Sequence, residues 1–264
     1  MAVSAERSVY YQTPPQQDGR QPLIREVGVI REFAELPFSY IWRDSEIPRG
    51  DGDPVIVIPG LFRTDGDTFF LRTWLNMLNY IALSSETVFP STNPKDDGER
   101  IADKAHKLKK DMKRRVHLVG HSLGGIVARY AAVIDPESVA SVTALSSPLN
   151  GDPEVVVDSL VMGVGKFLIP LLNDRKALIE IMEELECPLD QRIRQTNIFT
   201  KQDGVVDWHA CLGTDPNTMN IEVLGTHSGL IYNPQVYRHL AERLQTKSFK
   251  HAVVTSRVSS GFAE

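Results

Sequence analysis

From residue 54 onward, short β-branched runs alternate with longer amphipathic stretches, a rhythm that predicts repeated βαβ units and a buried parallel sheet. Residues 55–58 are four apolar positions bounded by prolines, and after them Leu71, Trp74, Leu75 and Leu78 fall at helical spacing. Residues 80–83 make a second strand. Over residues 97–113 one stripe carries Ile101, Ala105, Leu108 and Met112 while charge fills the other faces, as in a helix half buried against a sheet. A third strand spans 116–119. The helix expected from Ser122 to about Ile134 is apolar on most sides, as a central helix must be, and Asp135-Pro136 stops it. Residues 139–145 form a fourth strand, with two more expected at 197–201 and 220–224. The last helix opens with Asn233 as N-cap and Pro234 at its first position, and Val236, Tyr237, Leu240, Ala241 and Leu244 share one face.

Residues 151–195 break the rhythm, because ordinary connections in α/β units run to about 2–6 residues. Two candidate helices, 155–169 and 174–185, separated by Pro170, imply an inserted helical cap. At the other end, Leu23, Ile24, Val27 and Ile30 suggest a lead-in helix before the turn cluster at 49–54. The expected organisation is a disordered start over 1–20, one α/β domain over 21–250 containing the cap, and a flexible tail over 251–264. There is no internal repeat.

Composition narrows the function classes. The 264 residues are 42% hydrophobic and 24% charged, which suits one α/β domain with a sizeable core, and the net charge of −5 argues against nucleic acid as a partner. The basic cluster Lys107, Lys109, Lys110, Lys113, Arg114 and Arg115 reads as a solvated helix face. No apolar run reaches the roughly 20 residues of a spanning helix. The Gln-, Pro- and Ser-rich start resembles neither a secretory signal nor a transit peptide, which predicts a cytoplasmic protein with export by another route left open. Cys187 and Cys211 have no metal-ligand spacing; free thiols are the default reading, and a bridge between them stays open. No metal or cofactor is signalled.

The chemistry concentrates in Val116-His117-Leu118-Val119-Gly120-His121-Ser122-Leu123-Gly124-Gly125. Gly-x-Ser-x-Gly arises by chance on the order of 3 × 10⁻⁴ per position, or about once in ten chains of this length. Its setting, after a strand and before a helix, removes most such accidents. A sharp strand-to-helix turn holds a serine in strained geometry, with Gly120 and Gly124 leaving room for the close backbone approach. Ser122 then sits at the amino end of a helix, where unpaired N–H groups favour developing negative charge.

A serine hydroxyl needs a base to take its proton and a carboxylate to orient that base. Downstream acids are Asp203 and Asp207; downstream histidines are His209, His227, His239 and His251. Asp203 and His227 are preferred because each follows a predicted strand almost at once, in Gln202-Asp203-Gly204 and Gly225-Thr226-His227-Ser228-Gly229. Asp207 reads better as a cap. Oxyanion donors, worth ~3–4 kcal/mol each when preorganised, are expected from the N–H of Leu123 and from Pro59-Gly60-Leu61-Phe62, with Leu61 first and Phe62 in reserve.

With these residues in place the sequence resembles the lipase and esterase branch of the α/β-hydrolase superfamily over about residues 54–245. The motifs that carry the resemblance are Pro59-Gly60, Gly120-His121-Ser122-Leu123-Gly124-Gly125 and Asp203-Gly204-Val205-Val206. The resemblance implies an α/β-hydrolase fold, a mostly parallel sheet of about six strands flanked by helices with a helical cap. It also implies catalytic Ser122, Asp203 and His227 and oxyanion donors Leu61 and Leu123. Pro59 departs from the histidine of many lipases. Phe62, His121, Val161, Phe167 and Leu168 are the candidate lining of an acyl pocket, and the apolar cap helix could equally be plain packing or contact a lipid interface.

The implied activity is hydrolysis of carboxylic esters with apolar short- to medium-chain acyl groups, with no cofactor and a small-molecule or lipid-like ester as partner. A thioesterase, lactonase, polyester depolymerase or acyltransferase would use the same residues, and a catalytically silent binding protein would keep only the fold. Oligomeric state is left open.

Overall fold

Six parallel strands form a single sheet in the computed structural model: β1 (Pro54–Ile58), β2 (Ile81–Ser84), β3 (Val116–His121), β4 (Val139–Leu145), β5 (Arg194–Phe199) and β6 (Thr218–Glu222), ordered β2-β1-β3-β4-β5-β6. The structure describes residues 20–61, 63–86, 93–164 and 175–245. Phe62, Phe167, Leu168, the expected tail and residues 1–19 of the expected disordered start lie outside them. Seven helices flank the sheet among the described residues: α1 (Val29–Glu35), α2 (Phe69–Met77), α3 (Pro94–Met112), α4 (Leu123–Ile134), α5 (Pro153–Val164), α6 (Arg175–Glu184) and α7 (Pro234–Leu244). None is long and apolar enough to cross a membrane.

Strand alternation divides the core. Val55, Val57 and Val119 face α2, α7 and the lead-in segment, whereas Ile56, Ile58, Val116 and Leu118 face α3 and α4. On the first side Trp74 and Tyr237 meet with ring centroids 4.9 Å apart, and the Trp74 indole N–H donates to the Ile41 carbonyl at 3.0 Å. Each buried ring removes 150–250 Å² from water, about 4–6 kcal/mol of gross transfer free energy. Asn233 caps α7 by accepting from the Gln235 N–H, with Pro234 behind it as the sequence predicts.

The chain runs outward from β1 to β2 and then returns past β1 to β3, so strand order reverses between β1 and β3. In an open parallel sheet the crevice at such a reversal, outside the carboxyl ends, is where ligands are held. Ser122 follows β3 there.

Three differences from the sequence pattern have physical causes. β5 and β6 begin three and two residues earlier than expected, because the buried part of β5 is polar: Gln195, Thr196 and Asn197 are almost fully covered. The lead-in segment is a 3₁₀ turn, Leu23–Gly28, followed by α1, and its apolar residues Leu23, Ile24, Val27 and Ile30 are solvent-exposed. The cap is partly core: Val156 and Val157 of α5 and Leu178, Ile181 and Met182 of α6 pack with Leu123, Ile126 and Tyr130 of α4. Val161 lies within α5.

Arg129 of α4 fastens the end of the insertion. It is 5% exposed and donates to Gln195, to Asp215 at 3.1 Å, and to the carbonyls of Leu185 and Cys187 at 3.1 and 3.2 Å. Arg129→Ala should lower unfolding free energy by about 3 kcal/mol in urea melts, because it strands Asp215 and two carbonyls. Arg129→Lys should recover only part of that loss, having no fork of donors.

Candidate active site

Ser122 occupies left-handed backbone, φ 53° and ψ −123°, between β3 and α4. Its N–H donates to the Leu145 carbonyl on β4 at 2.8 Å, fixing the turn to the neighbouring strand. The glycines explain the local sequence. A Cβ on Gly120 would sit 2.1 Å from the Gly124 carbonyl oxygen, and one on Gly124 would sit 2.5 Å from the oxygens of Ile58 and Pro59. No side chain fits at either position. The loop after β1 lies against the serine, since a Cβ on Gly60 would approach Ser122 Cβ to 3.1 Å. Leu61 packs beside Leu123 in the same apolar cluster.

Asp203 and His227, on the loops after β5 and β6, are joined directly: His227 Nδ1 is 2.7 Å from Asp203 Oδ2, with Asp203 fully buried and His227 4% exposed. The other oxygen, Asp203 Oδ1, accepts from the N–H groups of Val205 and Val206 at 2.8 and 2.7 Å. With the Nδ1 proton given to Asp203, the Nε2 lone pair is left to act as a base. Burial alone would raise Asp203, but His227 and the two N–H groups outweigh it and hold the carboxyl below its usual range. Burial likewise opposes charge on His227, yet Asp203, with a smaller contribution from Glu26, lifts the imidazole above its ordinary value.

His121 links these loops to the serine turn. Buried and neutral, its proton affinity pushed down to about 3 by burial and then by His227, it donates from Nε2 to the His227 carbonyl at 2.9 Å. The sequence pattern suggested His121 as pocket lining; this contact makes it an anchor. Asp207 accepts from the N–H of His209 and caps a short 3₁₀ turn, Trp208–Cys211, as its sequence position suggested. His209 bonds to Asp207 at 2.7 Å, His239 lies in α7 beside Glu242, and His251 is outside the described residues. Cys187 and Cys211 are free thiols.

Comparison with known proteins agrees with the fold. A family model described as a PGAP1-like alpha/beta domain matches residues 98–178. A triacylglycerol lipase of Pseudomonas fragi is 33% identical over 105 residues, covering 37% of this chain and 35% of the lipase. The chain spans about a third of the length of the curated relatives it matches. Among solved structures, a mature Bacillus licheniformis lipase superposes with a TM-score of 0.55 at 17% identity, covering 77% of this chain and 96% of that one. An α/β hydrolase from the metagenome of lagoon sediments in Morocco gives 0.54 at 18%, with 74% and 91% covered. The fold is that of the α/β hydrolases.

This α/β-hydrolase fold carries a feature that hydropathy could not reveal. Glu26 accepts three backbone N–H groups at 3.0 Å, those of Gly204 and His227 on Oε1 and Ser228 on Oε2. Glu32 accepts the Thr226 N–H at 2.9 Å and its hydroxyl at 2.6 Å. The lead-in segment is therefore docked by carboxylates, and it holds the acid loop and the histidine loop in one frame. Arg63, paired with Asp67 at 3.0 Å, brings positive charge close enough to disfavour protonation of both His121 and His227. Arg63 leaves a sequence trace as a charge beside the expected oxyanion loop; Glu26 and Glu32 lie far in sequence from the loops they hold and leave none.

Among the described residues, no group of three His, Cys, Asp or Glu is arranged to hold a metal. A buried histidine–serine contact, His117 Nδ1 to Ser141 Oγ at 2.7 Å, lies at the opposite, amino-terminal edge of the sheet.

Two predictions follow from the geometry. Histidine NMR should find His227 titrating above the ordinary imidazole value near 6.5, and Asp203→Asn should bring it below that value, because burial then acts unopposed. Protonated His227 has no lone pair, so a reaction using it as base fades as pH falls through the raised value. Glu26→Ala should speed amide exchange at Gly204, His227 and Ser228 by about tenfold or more, the loss of one to two kcal/mol of local hydrogen bonding.

Proposed function

We propose that the chain is a carboxylic ester hydrolase working through an acyl-serine intermediate. The observation that carries this reading is the buried Asp203–His227 pair on the two loops beside a serine held in left-handed backbone at the strand-to-helix turn. His227 Nε2 takes the Ser122 proton as Oγ attacks the ester carbonyl; the alkoxide then leaves with that proton, and water activated by His227 releases the acid. Asp203 keeps His227 in the Nδ1–H form and stabilises the imidazolium that forms in each step. The N–H groups of Leu123 and Leu61 face the oxyanion. No hydrogen bond joins Ser122 Oγ to His227 among the described residues, and in free enzymes of this type that contact often tightens only with substrate bound.

The similarity to bacterial triacylglycerol lipases over part of the chain supports an ester rather than an amide substrate. Apolar acyl groups are favoured by the broad apolar surface of the cap sequence, of which Val161, Phe167 and Leu168 are the proposed acyl contacts along with Phe62. Thioester, lactone and polyester substrates call on the same machinery with a different pocket.

An ester series of rising acyl length, run with variants, tests reaction and residues together. Ser122→Ala should lower turnover by roughly 10⁴-fold or more and abolish labelling by a fluorophosphonate. Asp203→Asn should cost on the order of 10³–10⁴, while Asp207→Asn should stay within about twofold. Full activity in Asp203→Asn with none in Asp207→Asn would reverse the acid assignment. Failure of the wild-type protein to label at Ser122 removes the enzyme reading altogether.

A further inference from the structure

The amino-terminal edge of the sheet, far from the loops that carry Ser122, holds a cleft of about 620 Å³. Arg114, Arg115, Arg192, Arg194 and Arg243 line it, with His117 at the floor. These residues come from the starts of β3 and β5 and the last turn of α7, so the fold gathers charges that are far apart in sequence. A chain with a net charge of −5 has no general excess of cations to scatter here.

The partners of the guanidinium groups divide them. Arg114 is paired with Asp53 at 2.7 Å, and Arg192 with Glu137 and Asp190 at 2.6 and 2.7 Å. Arg115 instead donates to the carbonyls of Pro136 and Arg192, and Arg243 donates from Nε to the Thr196 hydroxyl at 3.1 Å. Neither of these two contacts a carboxylate among the described residues. Arg115 loses proton affinity to burial and then to Arg192, and Arg194 to burial and then to Arg243, so like charges are crowded together in a partly dry place.

The polar atoms at the floor are also incomplete. His117 is fully buried and bonded through Nδ1 to Ser141, yet among the described residues its Nε2 has no hydrogen-bond partner, and neither has Thr218 Oγ1 on the cleft wall. A buried donor or acceptor left unmade costs about 1–3 kcal/mol, so two of them under a ring of arginines mark a place shaped for something that brings oxygen atoms. An adjoining, more open hollow lined by His106, Lys109, Lys110 and Lys113 shares only Arg114 and Arg115 with the cleft.

We propose that this cleft binds a phosphate monoester, at a site separate from the one around Ser122. Guanidinium forks meet phosphate oxygens two at a time, and a dianion with three terminal oxygens satisfies Arg115 and Arg243 together with a neutral histidine and a hydroxyl. A carboxylate, with two oxygens and one charge, leaves part of that set unmet. The volume admits a small organic group beyond the phosphate, and the ester is either free in solution or the headgroup of an anionic lipid.

Calorimetry on the full chain tests the site with glycerol 3-phosphate and with phosphatidylcholine vesicles, with and without phosphatidic acid, each against wild type, Arg115→Gln/Arg243→Gln and the surface control Lys109→Gln/Lys110→Gln. Glycerol 3-phosphate should bind one to one, at least about tenfold more weakly in the arginine variant and within about twofold in the lysine control. Binding restricted to phosphatidic acid vesicles, with the same dependence on the two arginines, assigns the phosphate to a lipid. The His117 Nε2 nitrogen signal should move on saturation of the wild-type protein, a readout that holds even where the double variant is unstable. Absence of binding to both probes, an unmoved His117 signal, or equal loss in both variants, the mark of diffuse surface charge, overturns the proposal.

Discussion

The left-handed backbone at Ser122 is the constraint to which the neighbouring structure answers. Such a conformation costs a non-glycine residue roughly 1–3 kcal/mol and persists only where its surroundings leave no alternative. Here Leu145 on β4 holds the Ser122 N–H, while Gly120 and Gly124 let strand, helix and the loop after β1 approach closer than any side chain allows. Because β3 is flanked by β1 and β4, the turn is gripped from both sides. Relaxing it would require moving the central strands of the sheet.

Around this rigid point the remaining groups are set by electrostatics. Asp203 and His227 are both buried, and each would favour its neutral form if alone; together, with two N–H groups on the far oxygen of Asp203, they sustain a polarised pair. His121 is kept neutral beside them and spends its one N–H on the His227 carbonyl. Glu26 gathers N–H groups from both loops, so the acid and the histidine share a common support as well as a bond.

The parts of this arrangement visible in the sequence are those that depend on local patterns. Buried parallel strands read as apolar runs, α4 as an all-round apolar helix, and Asn233-Pro234 as a helix start, and each was recovered within a few residues. The glycines around Ser122 declare a steric need that few other residue types could meet. β5 was misplaced by three residues because its buried face is built from Gln195 and Asn197, whose partners, Arg129 and the Cys211 carbonyl, come from elsewhere in the chain. Leu23, Ile24, Val27 and Ile30 formed a plausible apolar stripe, yet the lead-in segment is docked near the site by Glu26 and Glu32, and carboxylates that bind backbone leave no periodic trace. The basic cluster at the end of α3 was readable as charge, but its convergence with Arg192, Arg194 and Arg243 is a property of the tertiary fold.

The Glu26–His227 hydrogen bond joins residues 201 positions apart, and that span bears on how the molecule comes into being. Contacts this distant form only after intervening segments have ordered, since the entropy of closing the chain must be offset by structure already made. During synthesis the serine turn and the central strands are complete while β6 and the histidine loop are still to follow. Assembly of the sheet and assembly of the site are thus separate events. The lead-in segment, made before the strands whose loops it holds, finds its partners last.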